Sequence, residues 1–254
     1  MMRRTSRGAM AVLTAVLLAT AFQTTPSANH SWGGYHWART ANPFLLKLGD
    51  NVGPAWDATL ATTSADWSVS NVLNTVVVAG GVSPKTCRPT AGQVEVCNAT
   101  YGNNGWLGVA QIWVTGTTHI SQATVKLNDT YFNKAQYNTP AWRNLVSCQE
   151  VGHTFGLDHQ DETFGNPNLG TCMDYTNDPS TNQHPNAHDY QELELIYAHV
   201  DSSTTIKSSN GNAHADVPQE WGQLMSSSHG GRQQVFEREF GNGNKIVTFV
   251  VWAD

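Results

Sequence analysis

The stretch "CQEVGHTFGLDHQD", 148–161, sets a glutamine, a glutamate and two histidines at spacings suited to metal-assisted chemistry. At about 100° per residue on an α-helix, positions 149, 150 and 153 fall within one arc of about 100°, so Gln149, Glu150 and His153 can face one cleft. Gly156 lets the chain leave the helix through a backbone conformation costly for other residues, and His159 can then return as a ligand that a straight helix could not supply. Imidazoles hold Zn2+ as neutral donors, the pKa of a bound water falls towards about 7, and a nearby carboxylate can take its proton. These residue types make Glu150 the candidate general base and His153 and His159 candidate metal ligands. The competing reading is an amphipathic helix with an incidental glutamate and two satisfied histidines. E-x-x-H alone favours that reading, and the added G-x-x-H argues against it.

A helix must carry this run. The segment "NTPAWRNLVSCQEVGHTFG" predicts one, with Thr139 as N-cap, Pro140 at the first helical position, and Trp142, Leu145 and Val146 on an apolar face. Upstream, "PFLLKLGDNV" reads as a strand and "PAWDATLATTSADWS" as a helix, with Trp56, Leu60 and Trp67 near helical spacing. Contiguous Val76, Val77 and Val78 make "NVLNTVVVAG" a buried strand. Turn-rich sequence surrounds the first cysteine pair, after which "GWLGVAQIWV" and "HISQATVKLND" read as sheet strands. Downstream, "PNAHDYQELELIYAHVD" predicts a helix capped by Asn186, with Tyr190, Leu193, Tyr197 and Val200 on one side. Residues 202–228 read as a linker or long loop, and the end of the chain as a β-hairpin turning at 241–244.

Of the 254 residues, 39% are hydrophobic and 13% charged, the composition of a globular protein. A net charge of -6, with 14 lysines and arginines spread along the chain, argues against nucleic acid or an anionic membrane as partner. The start, "MMRRTSRGAMAVLTAVLLATAFQ", places Arg3, Arg4 and Arg7 before an apolar run and an A-x-A site, which predicts a secretory signal peptide over 1–21. Ala28 is an alternative boundary. The mature protein is then expected to be secreted, free of the membrane and monomeric. Export puts Cys87, Cys97, Cys148 and Cys172 in an oxidising compartment, where an even count favours two disulfides. Of the three possible pairings, Cys87 with Cys97 and Cys148 with Cys172 is favoured, because the first closes a short loop and the second ties together two functional segments.

The motif resembles that of the metzincin clan of zinc endopeptidases, and "VGHTFGLDH" is especially similar to the matrixin branch. The family pattern H-E-x-x-H-x-x-G-x-x-H is matched at Glu150, His153, Gly156 and His159 and missed at Gln149. The clan's second signature, a methionine turn beneath the metal, is matched by "GTCMDY" with Met173, and the helix after residue 186 resembles the matrixin C-terminal helix. The resemblance covers roughly residues 44–200. It implies an α+β fold: a metzincin-like catalytic domain with a twisted, mostly parallel sheet, a zinc-binding helix, a Met-turn and a C-terminal helix, followed by the hairpin. It divides the chain into the signal peptide, an N-terminal segment 22–43, a metallopeptidase domain 44–201 and an extension 202–254. Tyr175 is similar to the tyrosine that in the astacin and serralysin branches stabilises the oxyanion or touches the metal; a buried core tyrosine is the alternative.

The resemblance implies Zn2+ as cofactor, with Ca2+ left open, and a protein or peptide as substrate. Gln149 is then a third ligand through its amide oxygen, a weaker donor than imidazole. Asp161 or His184 are the alternatives to complete the shell, and Asp158 could orient a ligand as an outer carboxylate. The function expected on these grounds is a secreted zinc-dependent endopeptidase. A non-catalytic secreted binding protein on the same fold, using some of the nine tryptophans, is the alternative.

Overall fold

The computed structural model describes residues 30–206, 213, 215–228 and 230–253. The expected signal peptide and both of its candidate boundaries lie outside them.

In chain order, β1 (His36–Trp37) and β2 (Phe44–Asn51) precede α1 (Asp57–Trp67), followed by β3 (Leu73–Ala79) and β4 (Val94–Ala99). Next come β5 (Trp106–Thr115), β6 (His119–Asn128), α2 (Asp129–Phe132), α3 (Pro140–His153) and α4 (Ala187–Ile196). The chain ends with β7 (Gln223–Ser227), β8 (Gln233–Gly241) and β9 (Asn244–Trp252). The strands make one sheet of nine, in the order β3-β2-β4-β6-β5-β9-β8-β7, with β1 alongside β6.

The sheet is mixed rather than mostly parallel. The β1–β6, β2–β3, β2–β4 and β4–β6 pairings are parallel. The β5–β6, β5–β9, β7–β8 and β8–β9 pairings are antiparallel. The difference comes from the C-terminal hairpin, which joins the same sheet along almost the whole of β5, from Trp106↔Trp252 to Val114↔Lys245. Its turn is a two-residue loop at Asn242 and Gly243, with φ of 54° and 73°. That left-handed pair matches the twist of the flanking strands.

Four local expectations differ from the structure. β3 lies at an edge of the sheet, and Val76 is exposed while Val77 and Val78 are half-buried, because a β-branched run favours extended backbone without requiring cover on both faces. β4 occupies sequence read as turn-rich. Its Glu95 is fully buried, with the carboxylate held by Asn51 Nδ2 and Gln93 Nε2 at 2.6 Å each, so a charged residue conceals a central strand. The 202–228 region includes a 3-10 turn at Pro218–Glu220 as well as β7. α4 begins with a complete capping box of Asn186 and Asp189. Leu193 and Tyr197 are buried as expected, whereas Val200 lies beyond the helix and is exposed.

α1 and α3 pack on each other and α3 against β5 and β6. The seam between the helices carries a buried Thr63–Ser147 hydroxyl pair at 2.8 Å and the Trp67 indole N–H donating to the Cys148 carbonyl at 3.1 Å. Both expected disulfides are present, Cys87–Cys97 and Cys148–Cys172. The second ties α3 to the methionine segment across 24 residues. Replacing both partners, Cys148→Ser with Cys172→Ser, is expected to lower stability by about 3 kcal/mol, since the cross-link restricts the unfolded chain. Urea unfolding of wild type and variant checks this, and unchanged stability would mean that packing alone holds α3 on that segment.

Candidate metal centre

α3 is nucleated by Thr139, whose hydroxyl accepts from Trp142 N at 3.3 Å, and by Pro140 in the first turn. Its last turns are buried: Gln149 is 1% exposed, and Glu150 and His153 are fully covered. The helix ends at His153, and Gly156 follows at φ +96°. A Cβ there would lie 1.9 Å from the Tyr35 carbonyl oxygen, so both conformation and space demand glycine. The reversal brings His159 back against His153, with ring centroids 4.4 Å apart. Beneath them, Met173 and Trp67 pack so closely on Gly152 that a Cβ would meet them at 2.8 and 2.7 Å.

The two imidazoles are held alike. His153 Nδ1 lies 2.9 Å from the Leu157 carbonyl, which can only accept, so that nitrogen carries the proton. His159 Nδ1 lies 3.0 Å from the Tyr175 hydroxyl and 3.2 Å from Asp158 Oδ1. Nε2 of each ring is buried with no partner, as are both carboxylate oxygens of Glu150. Each orphaned group costs on the order of 1–3 kcal/mol if nothing satisfies it. Two imidazoles with unpaired Nε2 atoms beside a buried carboxylate are a donor set that fits a divalent cation such as Zn2+.

Burial sets the electrostatics. It holds the His153 ring neutral, lowering its pKa to about 3 with help from the neighbouring His159. It pushes the Glu150 carboxyl well above its ordinary range. Burial alone would raise Asp158, but hydrogen bonds and charge from His159 hold its carboxylate below the usual value. Asp158 therefore stands as an anion behind His159 and fixes its ring.

The other residues singled out from the sequence are placed as follows. Gln149 Oε1 accepts from Gln233 Nε2 on β8 at 3.1 Å, while Gln149 Nε2 and Gln233 Oε1 have no partner. Turning both amides by 180° keeps the bond and exchanges the roles, leaving Gln149 Oε1 as the free atom. Asp161 is used within its own loop, by Thr163 N at 2.6 Å and by Asn166. His184 is taken by Asp66 Oδ2 at 2.7 Å, with its side chain 54% exposed. Tyr175 meets His159 on Nδ1, the ring atom opposite the unpaired Nε2. Its contact is with the histidine from behind.

Four participants were not identified from the sequence. Glu162 lies with Asp158 and His159 in a group whose donor atoms are all within 4.8 Å of one another. Gly108 on β5 lets the Glu150 side chain sit where a Cβ would be 2.7 Å from Oε1. Gln233 reaches Gln149, and Phe249 on β9 lies flat on His153, with ring centroids 4.4 Å apart and planes 5° from parallel. The hairpin contacts have no local signature, because they join residues about a hundred positions apart.

No family model matches the chain, and neither does any curated protein. Among solved structures it is similar to myroilysin, at 10% identity over 70% of this chain and 98% of that one, with a TM-score of 0.37. It is also similar to high choriolytic enzyme 1, a hatching enzyme zinc-protease from the medaka fish Oryzias latipes, at 9% identity over 67% and 98% of the two chains, with a TM-score of 0.36. Overlap this shallow carries no argument about activity.

The opposed titrations of His153 and Glu150 are measurable on chelator-treated protein. The unfolded chain protonates His153 near 6.5 and the folded one only near 3, so its share of stability is lost as pH falls through that window. Glu150 acts in the opposite sense: its raised pKa gives a share that is full below 4.5 and lost as pH rises. His153→Gln is expected to flatten the acid side of the stability profile and Glu150→Gln the neutral side. Thermal unfolding across pH checks both, and superimposable profiles would contradict these burial effects.

Proposed function

We propose that the chain is a secreted zinc-dependent endopeptidase of metzincin type. The observation that supports it is the pair of buried histidines, each with Nδ1 committed and Nε2 unpaired, beside a buried carboxylate from the same helix. His153 and His159 would hold the metal through Nε2, with Gln149 as a provisional third ligand through Oε1 in the turned arrangement of its amide pair. Bound Zn2+ supplies a water of lowered pKa and a Lewis acid for the peptide carbonyl.

The protein's own residues would do the rest. Glu150 would take a proton at its carboxylate from the attacking water and return it to the departing amine, and burial, which raises its pKa, favours the form that holds the proton between the two steps. Asp158 and Tyr175 bear on His159 Nδ1, so Tyr175 acts as a positioning residue in this arrangement. Met173 and the Cys148–Cys172 bridge form the floor under the helix. β9 pairs along β5 beside Glu150, so the sheet edge nearest these groups is already taken by the chain's own hairpin.

Glu150→Gln is expected to abolish hydrolysis of unfolded casein while zinc stays bound, because the base acts on water rather than on the metal. Near-wild-type turnover in that variant would remove Glu150 from the mechanism.

One observation favours the second reading, a non-catalytic binding protein: Phe249 and Gln233 close the site with side-chain contacts to His153 and Gln149. The tryptophans do not add to it, since all nine are buried or half-buried. Gln149→His separates the two. If the natural site is a working one with a weak amide donor, the variant should bind zinc about 10-fold more tightly, about 1.4 kcal/mol, in chelator competition. If wild type binds no zinc at this site and cleaves nothing while the variant does both, the natural protein has lost the activity.

A further inference from the structure

A second set of donors converges elsewhere, sharing no residue with the α3 site. His36 on β1, His119 at the first position of β6 and Asp201 just beyond α4 place donor atoms within 4.8 Å of one another, and His199, also beyond α4, adjoins two of them, His36 and Asp201. From Asp201 Oδ1, His119 Nε2 is 3.2 Å away, His36 Nε2 3.6 Å and His199 Nε2 3.7 Å. His36 Nε2 and His199 Nε2 are 3.2 Å apart. Donors about 2.0–2.1 Å from a common centre at tetrahedral angles stand about 3.3–3.4 Å from one another, and these four separations lie close to that spacing.

The surrounding bonds orient these donors. His36 Nδ1 lies 2.9 Å from the Gly34 carbonyl, so it carries the ring proton and Nε2 is left as a lone pair. The ring of His36 meets those of His119 and His199 at 83° and 87°, an edge-on arrangement rather than a stack. Asp201 Oδ2 accepts from the Arg39 backbone N–H at 3.1 Å and from its guanidinium Nη1 at 2.9 Å, which turns Oδ1 to the histidines. Arg39 is 1% exposed and also donates from Nη2 to the carbonyls of Tyr197, at 2.9 Å, and His199. One buried arginine thus holds the segment from which two of the four donors come. Fixing of ligands by outer hydrogen bonds of this kind is a regular feature of metal sites.

We propose that His36, His119, His199 and Asp201 form a second, four-ligand zinc site that clamps β1 and the start of β6 to the chain leaving α4. With four protein donors it is closed and structural, in contrast to the α3 site. It is independent of the endopeptidase reading and stands or falls separately.

The test uses the intact chain and the metal alone. In the variant His153→Ala with His159→Ala, which removes the imidazole ligands of α3, titration with Co2+ is expected to give one tightly bound equivalent with the strong visible absorption of four-coordinate cobalt. Adding His199→Ala, a change at a side chain 52% exposed, is expected to weaken that binding at least 10-fold without unfolding the protein. A readout on the wild type needs no variant. His199 and His119, whose side chains are 52% and 32% exposed, should react with diethyl pyrocarbonate after chelation and be protected when Zn2+ is restored, as read by peptide mass spectrometry. Absence of cobalt uptake by a folded double variant, or equal reactivity of His199 with and without zinc, would overturn the proposal and leave a hydrogen-bonded histidine–carboxylate network.

Discussion

The close approach at Gly156 is the constraint on which the rest of the molecule turns. Its positive φ and the Tyr35 carbonyl against its Cα admit no side chain. Around this point the Trp32 backbone N–H donates to the Gly156 carbonyl at 2.9 Å and the Trp37 indole to that of Thr154 at 2.8 Å. The Tyr197 hydroxyl donates to the Phe155 carbonyl at 2.9 Å. The end of α3 therefore gives its free carbonyls to the N-terminal segment and to the residue after α4. One turn satisfies the helix terminus, returns His159 to His153, and fixes the two distant segments that carry His36 and His199.

The two sets of donors differ in what their burial costs. At α3, helix and hairpin remove Glu150 and both imidazoles from water and leave polar atoms unpaired, an arrangement that a bound cation would relieve. The carboxylate is displaced from its ordinary titration, and the ring of His153 is kept neutral. At the His36 cluster, Asp201 is anchored by Arg39 and two of the histidines are partly in solvent, so the same residue types are satisfied at lower cost. Unpaired buried groups suit a reactive centre, and a well-anchored rim suits a clamp.

The hairpin changes the meaning of the α3 site. A sheet ending at β5 would leave a free edge beside Glu150, the kind of edge to which an extended peptide adds as a further strand. β9 takes that edge, and its Phe249 covers the imidazole face. The molecule thus combines a buried histidine pair and carboxylate with a cover built from the C-terminal hairpin.

Much of this was legible along the chain. The cap at Thr139 and Pro140, the helical arc of Gln149, Glu150 and His153, the glycine exit, and the Asn186 cap of α4 are local features, set by helix period, backbone freedom and short-range hydrogen bonds. They belong to the sequence by itself. β4 was hidden because its buried Glu95 carboxylate is satisfied in part by the Asn51 amide, a partner brought to it only by the fold. The balance of parallel and antiparallel pairing, the lid formed by Gln233 and Phe249, the placing of the Tyr175 hydroxyl behind His159, and the meeting of His36 with His199 across 163 residues were decided by tertiary structure. Each depends on which surfaces meet when strands pair and helices pack, and chain spacing carries no record of that once the partners lie beyond a few turns or one hairpin.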